Sequence, residues 1–260
     1  MTKRIEDLRA HALNKEVPGI KSQECQLLWQ RGWLDNHDEQ SNIIRRAKTK
    51  AYVLRHSTPV IDDDELLVGK PCYRELTDSE QEELALLNKY AGKACLRLSG
   101  QDSHMAIDYE KLLKMGIIGI QHEINSYRKE LQLHVPDDME KEDFYRACLE
   151  VLDGVIEYAE NYACHAEELA DRCSDPVRKA EIIEIARICR KVPLHPADTF
   201  YEALQSVHFI TFCMEGLYQL GRPDRYLIEY YRRDLKSGIL TRDLAQELID
   251  CLCILFNEYI

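Results

Sequence analysis

The sequence predicts a mainly α-helical segment. Apolar residues recur at helical spacing along most of the chain, capping residues and prolines stand where those stretches would begin, and only one short run reads as extended. With 45% hydrophobic residues spread along the chain and only 11 Gly and 8 Pro, disordered and collagen-like classes are excluded.

The elements follow in order. Residues 3 to 15, carrying Ile5, Leu8, Ala12 and Leu13, and residues 23 to 34, carrying Leu27, Leu28 and Leu34, form two amphipathic helices parted by Val17-Pro18-Gly19. A third runs from Ser41 to Leu54 and stops before Pro59. Residues 59 to 69 begin with Pro, turn through an acidic run, pass a short apolar stretch and end at Gly, which predicts one short strand or extended segment. Helix resumes at Ser79, with Thr77 and Asp78 as cap candidates, and a polar break follows around Ser99 to Ser103.

Asp108 to Leu131 reads as one long helix. Inside it Gly116 and Gly119 each cost about 1 kcal/mol relative to Ala, so they mark close packing or a kink. Pro136 and the acidic residues after it make a loop and helix start, with helix from Phe144 to Cys173 and again from Pro176 to Lys191, closed by Val192-Pro-Leu-His-Pro196. Asp198 or Thr199 caps the next helix with Glu202 in the reciprocal position, and that helix is apolar nearly all round toward Met214, which predicts burial. A break at 216 to 223 precedes helices at 226 to 235 and 241 to 260. The last carries an apolar stripe to the end of the chain without a stop signal, so the chain is expected to be the amino-terminal portion of a longer protein, with no internal domain boundary. On that expectation the chain alone would turn the apolar faces of 206 to 214 and 244 to 259 toward water.

Thirty-four Lys+Arg against 46 Asp+Glu give a net charge of −12, which argues against a nucleic-acid surface. The densest basic cluster, Arg45, Arg46, Lys48 and Lys50, is too small to reverse this. No stretch approaches the ~20 apolar residues that span a bilayer, and the first residues lack a secretory apolar core, so the expected compartment is the cytoplasm. The ten cysteines contain no C-x-x-C pair and sit mostly in apolar helical surroundings, which predicts reduced, largely buried thiols, Cys213, Cys251 and Cys253 among them, and no zinc site. His122-Glu123 lacks the second histidine of a zinc helix, since residue 126 is Ser. The acidic runs 62 to 65 and 137 to 142 read as solvated loops and helix starts.

A set of motifs in fixed order adds a resemblance. Residues 185 to 193 (Ile-Ala-Arg-Ile-Cys-Arg-Lys-Val-Pro), Pro196 with 199 to 206 (Thr-Phe-Tyr-Glu-Ala-Leu-Gln-Ser), 220 to 227 (Leu-Gly-Arg-Pro-Asp-Arg-Tyr-Leu), 231 to 238 (Tyr-Arg-Arg-Asp-Leu-Lys-Ser-Gly) and 245 to 250 (Ala-Gln-Glu-Leu-Ile-Asp) together resemble the glycyl radical enzymes, the family of pyruvate formate-lyase, glycerol dehydratase and choline trimethylamine-lyase. Residues 4 to 9, 63 to 69, and His104 with 108 to 113 extend the likeness over essentially the whole chain.

The resemblance implies the amino-terminal, mostly helical part of a ten-stranded α/β barrel. It also implies an activating enzyme that uses S-adenosylmethionine and an iron-sulfur cluster to install a radical on a backbone glycine, with a barrel cysteine becoming the thiyl that abstracts hydrogen from a small polar substrate. The full-length protein is expected to be a homodimer acting in anaerobic metabolism. Neither an Arg-Val-x-Gly-Tyr radical loop nor a Gly-Cys-Val or Gly-Cys-x-Glu thiyl loop occurs in these residues, so no catalytic residue and no bound cofactor or metal is expected in this chain, and by itself it is expected to be inactive.

By the same resemblance His104 reaches the substrate cavity and contacts a hydroxyl, unless it simply caps the helix at Asp108. Glu215, Tyr218 and Gln219 fall where relatives line the cavity with a substrate-dependent polar segment, and a turn leaving a buried helix is the plainer alternative. Arg222 and Asp224 match a Gly-Arg-x-Asp turn in which a buried arginine fork holds a loop. The implied reaction is dehydration, decarboxylation or carbon-heteroatom cleavage. Pyruvate formate-lyase chemistry and a non-catalytic helical fragment binding an activase or partner remain the alternatives.

Overall fold

The computed structural model describes residues 2–14, 22–90, 107–214 and 220–257. Among them are eleven helices and no strand: α1 (Lys3–Asn14), α2 (Gln23–Asp35), α3 (Asn42–His56), α4 (Asp78–Tyr90), α5 (Tyr109–Lys129), α6 (Pro136–Arg172), α7 (Pro176–Lys191), α8 (Phe200–Cys213), α9 (Pro223–Tyr226), α10 (Ile228–Ser237) and α11 (Arg242–Asn257).

The 37-residue helix α6, about 55 Å long at 1.5 Å per residue, is the spine. Helix begins at Pro136 rather than Phe144, because proline at N1 loses no hydrogen bond and Asp137 and Asp138 meet the positive end of the helix. Its buried residues Gly154, Val155, Tyr158, Ala159, Tyr162, Ala163, Ala166 and Ala170 follow the 3.6 period. Small residues let α3 cross closely: a Cβ at Gly154 would stand 2.7 Å from Ala51 Cα. Helix α7 also packs along α6, and α2 and α4 continue the array beyond α3.

Helix α8 starts at the capping box of Thr199 and Glu202 and is buried along almost every residue. It packs against α5, α6, α7, α10 and α11. The expectation that 206 to 214 and 244 to 259 would face water is therefore corrected for the described residues, with 258 and 259 lying outside them. Val207, Phe209, Ile210 and Cys213 of α8 and Leu248, Cys251, Leu252 and Leu255 of α11 all belong to the core of this chain, because these two helices cover one another and α1 covers α11.

Residues 59 to 70 are irregular, with a turn at 63–64 and a bend at 66–67, and form no strand among the described residues. Their main-chain groups go instead to side chains of helices. Gln205 takes both groups of Val68, accepting from its N at 3.0 Å and donating to its O at 2.6 Å. Tyr162 Oη accepts from Lys70 N and Val60 N, Tyr201 Oη donates to Leu66 O, and Arg178 donates to Glu65 O at 2.8 Å. Leu66, Leu67 and Val68 are buried, with Leu66 O and both main-chain groups of Val68 satisfied, as burial of main-chain groups requires. The same packing overturns the solvated reading of Glu65, which is 4% exposed and ion-paired with Lys70 at 2.5 Å, while Asp62 holds the same ammonium.

Gly116 breaks α5 with φ 63° and ψ 175°, so the two halves of that helix run on either side of a kink. Backbone groups near the break pair with the 193–197 loop: Ile117 N donates to Pro193 O at 2.9 Å, Ile118 N to Leu194 O at 3.0 Å, and Ala197 N to Leu113 O at 3.0 Å.

Candidate functional site

The first half of α5 is aimed by that kink toward the carboxyl end of α8. Asp108 caps the helix by accepting from Lys111 N at 3.0 Å, which fixes Tyr109 in the first turn. Tyr109 is 2% exposed, and its Oη lies 2.7 Å from Thr211 Oγ1 on α8. Thr211 donates its one hydroxyl proton to Val207 O at 2.8 Å, so Tyr109 is the donor to Thr211. The Tyr226 ring of α9 sits 5.3 Å from the Tyr109 ring, and Tyr226 Oη donates to Leu220 O at 3.0 Å.

Burial pushes the Tyr109 phenol above its ordinary range, against the opposing effect of the Thr211 hydrogen bond. Burial and the neighbouring Tyr109 push Tyr226 further up. Cys213, buried at the end of α8, is pushed by desolvation up to about 12, so it is a neutral thiol at physiological pH and not a nucleophile. The junction therefore offers neutral hydroxyls and aromatic faces that can hold and orient, and its described groups supply no acid, base or nucleophile near neutrality.

Chain continuity gives the junction its interest. Ile107 follows directly on residues 91 to 106, and Met214 and Leu220 border residues 215 to 219. His104, Glu215, Tyr218 and Gln219 lie in those stretches, outside the described residues. Arg222 and Asp224 are described. They form a two-bond fork, Nε to Oδ1 at 2.8 Å and Nη2 to Oδ2 at 2.6 Å, at the start of α9. Their side chains are 65% and 60% exposed, so the buried fork expected from the sequence is an exposed one, on a short helix none of whose residues is fully buried among the described residues.

Sequence reasoning passed over Tyr109, Thr211 and Tyr226. Tyr109 stands inside a quoted motif, but its partner is 102 residues away, and no local spacing signals that pair. Among the cysteines Cys189, Cys213 and Cys251 are buried as expected, whereas Cys253 is exposed on the outer face of α11 and Cys164 on α6. Among the described residues no group of three or more His, Cys, Asp or Glu could hold a metal ion. No helix among them is long and apolar enough to cross a membrane.

Fold and site together define a helical region built around one enclosed helix, with an uncharged tyrosine–threonine junction at its end. Residues 94–260 match the family model for pyruvate formate lyase-like proteins, and the chain belongs to that family. It is 36% identical over 161 residues to the isethionate sulfite-lyase of Bilophila wadsworthia, covering 59% of this chain and 19% of that protein. It is 30% identical over 156 residues to the trans-4-hydroxy-L-proline dehydratase of Clostridioides difficile, covering 57% and 20%.

Among solved structures, the glycerol-bound B12-independent glycerol dehydratase of Clostridium butyricum superposes with a TM-score of 0.87 at 27% identity, over 99% of this chain and 40% of that one. A glycyl radical enzyme of Archaeoglobus fulgidus gives 0.83 at 26%, over 98% and 40%. The resemblance to glycyl radical enzymes read from the sequence is borne out by these relatives. The chain spans about a fifth of the length of the curated relatives it matches.

Proposed function

We propose that these residues are the amino-terminal helical region of a glycyl radical enzyme of the lyase or dehydratase type, working in the anaerobic cytoplasm on a small polar organic molecule. The carrying observation is that 99% of the chain superposes at a TM-score of 0.87 on a glycerol dehydratase with glycerol bound. The names of the relatives, an isethionate sulfite-lyase and a hydroxyproline dehydratase, favour cleavage or dehydration over acetyl transfer to coenzyme A.

In this reading the barrel, the thiyl cysteine and the radical glycine belong to the parent protein, and a radical S-adenosylmethionine activase with an iron-sulfur cluster installs the radical. When present, the radical supplies hydrogen abstraction. The residues of this chain bind and orient. His104 hydrogen-bonds a substrate hydroxyl, Glu215, Tyr218 and Gln219 select the substrate's polar groups, and Arg222 with Asp224 holds the turn that follows. The parent protein is a homodimer in the same reading.

The test is anaerobic activation of the parent protein by its activase, followed by electron spin resonance and by consumption of isethionate, glycerol, propane-1,2-diol and trans-4-hydroxy-L-proline. A glycine-centred doublet and turnover of one of these are expected, with His104→Ala lowering kcat/KM by about 10²-fold or more at unchanged spin count. A silent spectrum with a competent activase, or a full radical with no turnover of any probe, overturns the proposal.

A further inference from the structure

We propose that α1 is a releasable strap. An ionic clasp centred on Arg4 holds it across residues 64 to 67 and α11, and it lifts away with the rest of the helical array in place, uncovering that face and the Cys251 thiol. Of the described side chains of α1 only Ile5 is buried, and Leu8 is half-buried. A 12-residue helix is marginal by itself in water, so α1 exists through its docking. Its one substantial helical neighbour among the described residues is α11, whereas α8 packs against five helices.

The polar hold converges on Arg4. Its guanidinium makes a two-bond fork with Glu181 of α7, Nη1 donating to Oε2 at 3.2 Å and Nη2 to Oε1, stands 3.7 Å from Glu247 of α11 at Nε, and donates to Asp64 O at 3.1 Å. Thr2 donates to the same Glu247 at 2.6 Å, and His11 Nε2 stands 3.5 Å from Asp62. Side-chain exposures of 18%, 23% and 17% at Arg4, Glu181 and Glu247 leave these pairs open to screening by salt. The clasp can open without stranding a buried charge. Glu181 keeps Arg178 at 3.0 Å, and Lys70 continues to hold Asp62 and Glu65. Beneath the strap Leu8 borders a small cavity with Leu67, Cys251 and Leu255. Burial pushes the Cys251 thiol up to about 12, so while α1 is docked it is neutral and does not react with an alkylating reagent. Release of α1 alone breaks much less packing than release of α7, and a weakly packed element opens first.

The test is alkylation of the full-length protein with iodoacetamide at about pH 8 under native conditions, read cysteine by cysteine by peptide mass spectrometry. Cys253, exposed on the same helix, reports the unprotected rate, and the buried Cys189 of α7 reports wider unfolding. Cys251 is expected to react at least about tenfold faster than Cys189 and more slowly than Cys253, since a protected site reacts in proportion to its open population. Ile5→Ala should raise the Cys251 rate about 30-fold or more, by loss of the one buried apolar anchor. Arg4→Gln should raise it about tenfold, and Arg4→Lys less, because an ammonium keeps the charge but not the fork. A change from about 0.05 to about 0.5 M salt should raise it a few-fold. Cys189 should stay within about twofold throughout. Equal rates at Cys251 and Cys189, or variants that speed both alike, mean that α1 leaves only when the whole fold does and overturn the proposal. A Cys251 rate indifferent to both salt and Arg4→Gln overturns the ionic clasp.

Discussion

Replacing Gly116 by Ala tests the architecture at its narrowest point. At φ 63° and ψ 175° the residue occupies a region essentially restricted to glycine, so any side chain costs about 1–3 kcal/mol in backbone strain alone. Space makes matters worse. The new Cβ would stand 2.5 Å from the carbonyl carbon of His195 and 2.5 Å from Leu194 O, both backbone atoms that cannot rotate away. Relief requires moving the 193–197 loop off α5, which endangers the three hydrogen bonds across the break, each worth about 1 kcal/mol. The total is about 4–6 kcal/mol if all three are lost. Gly238→Ala is the control, because its φ of 76° is also left-handed but nothing lies within 4 Å of the added carbon, so it should cost only about 1–2 kcal/mol. Urea unfolding followed by tryptophan fluorescence compares the two. Equal midpoint shifts would refute the claim that close approach of the loop, and not φ alone, demands glycine at 116.

Gln205→Leu should lower stability by about 2–5 kcal/mol, because it strips partners from both main-chain groups of the fully buried Val68, and urea midpoints within about 0.5 kcal/mol of the parent would contradict this. His208 is held neutral by burial, its pKa lowered from 6.5 to about 4 while Nε2 donates to Gly69 O at 2.6 Å. The unfolded chain therefore takes up a proton that the fold resists. Stability from this group is full above pH 6.5 and falls by about 3 kcal/mol as the pH drops to 4, so His208→Gln should show a shallower acid limb in unfolding measured across that window, and parallel limbs would refute the assignment.

How much of this was legible in the sequence depended on how local each cause is. Asp175 and Pro176 open α7 within three residues, and Thr199 with Glu202 opens α8, so those boundaries read directly. Gly116 reads in the sequence as a kink or a close approach and is both, since an unfavourable helix residue needs a reason to be there. Residues 59 to 69 read correctly as a break between helices with an acidic turn, though no strand forms among the described residues, and their hydrogen-bond partners come from α6, α7 and α8, which no pattern within the segment names. For the same reason Glu65 looked like part of a solvated acidic run. Only the fold shows that Arg178 and Lys70 close over it. The cover of α8 and α11 was likewise invisible, because a helix's apolar face does not reveal whether its neighbours lie in the same 260 residues.

The dependence of residues 59 to 70 on distant side chains has a consequence during synthesis. Val68 leaves the ribosome 137 residues ahead of the Gln205 amide that will satisfy it. At about 5–20 residues per second that is a wait of about 7 to 27 seconds. Throughout it Leu66, Leu67 and Val68 form an apolar stretch with open main-chain donors and acceptors, the kind of surface a nascent-chain chaperone binds. The emergence of α8 ends that interval, making its completion the event that seats Val68 and its neighbours in the core.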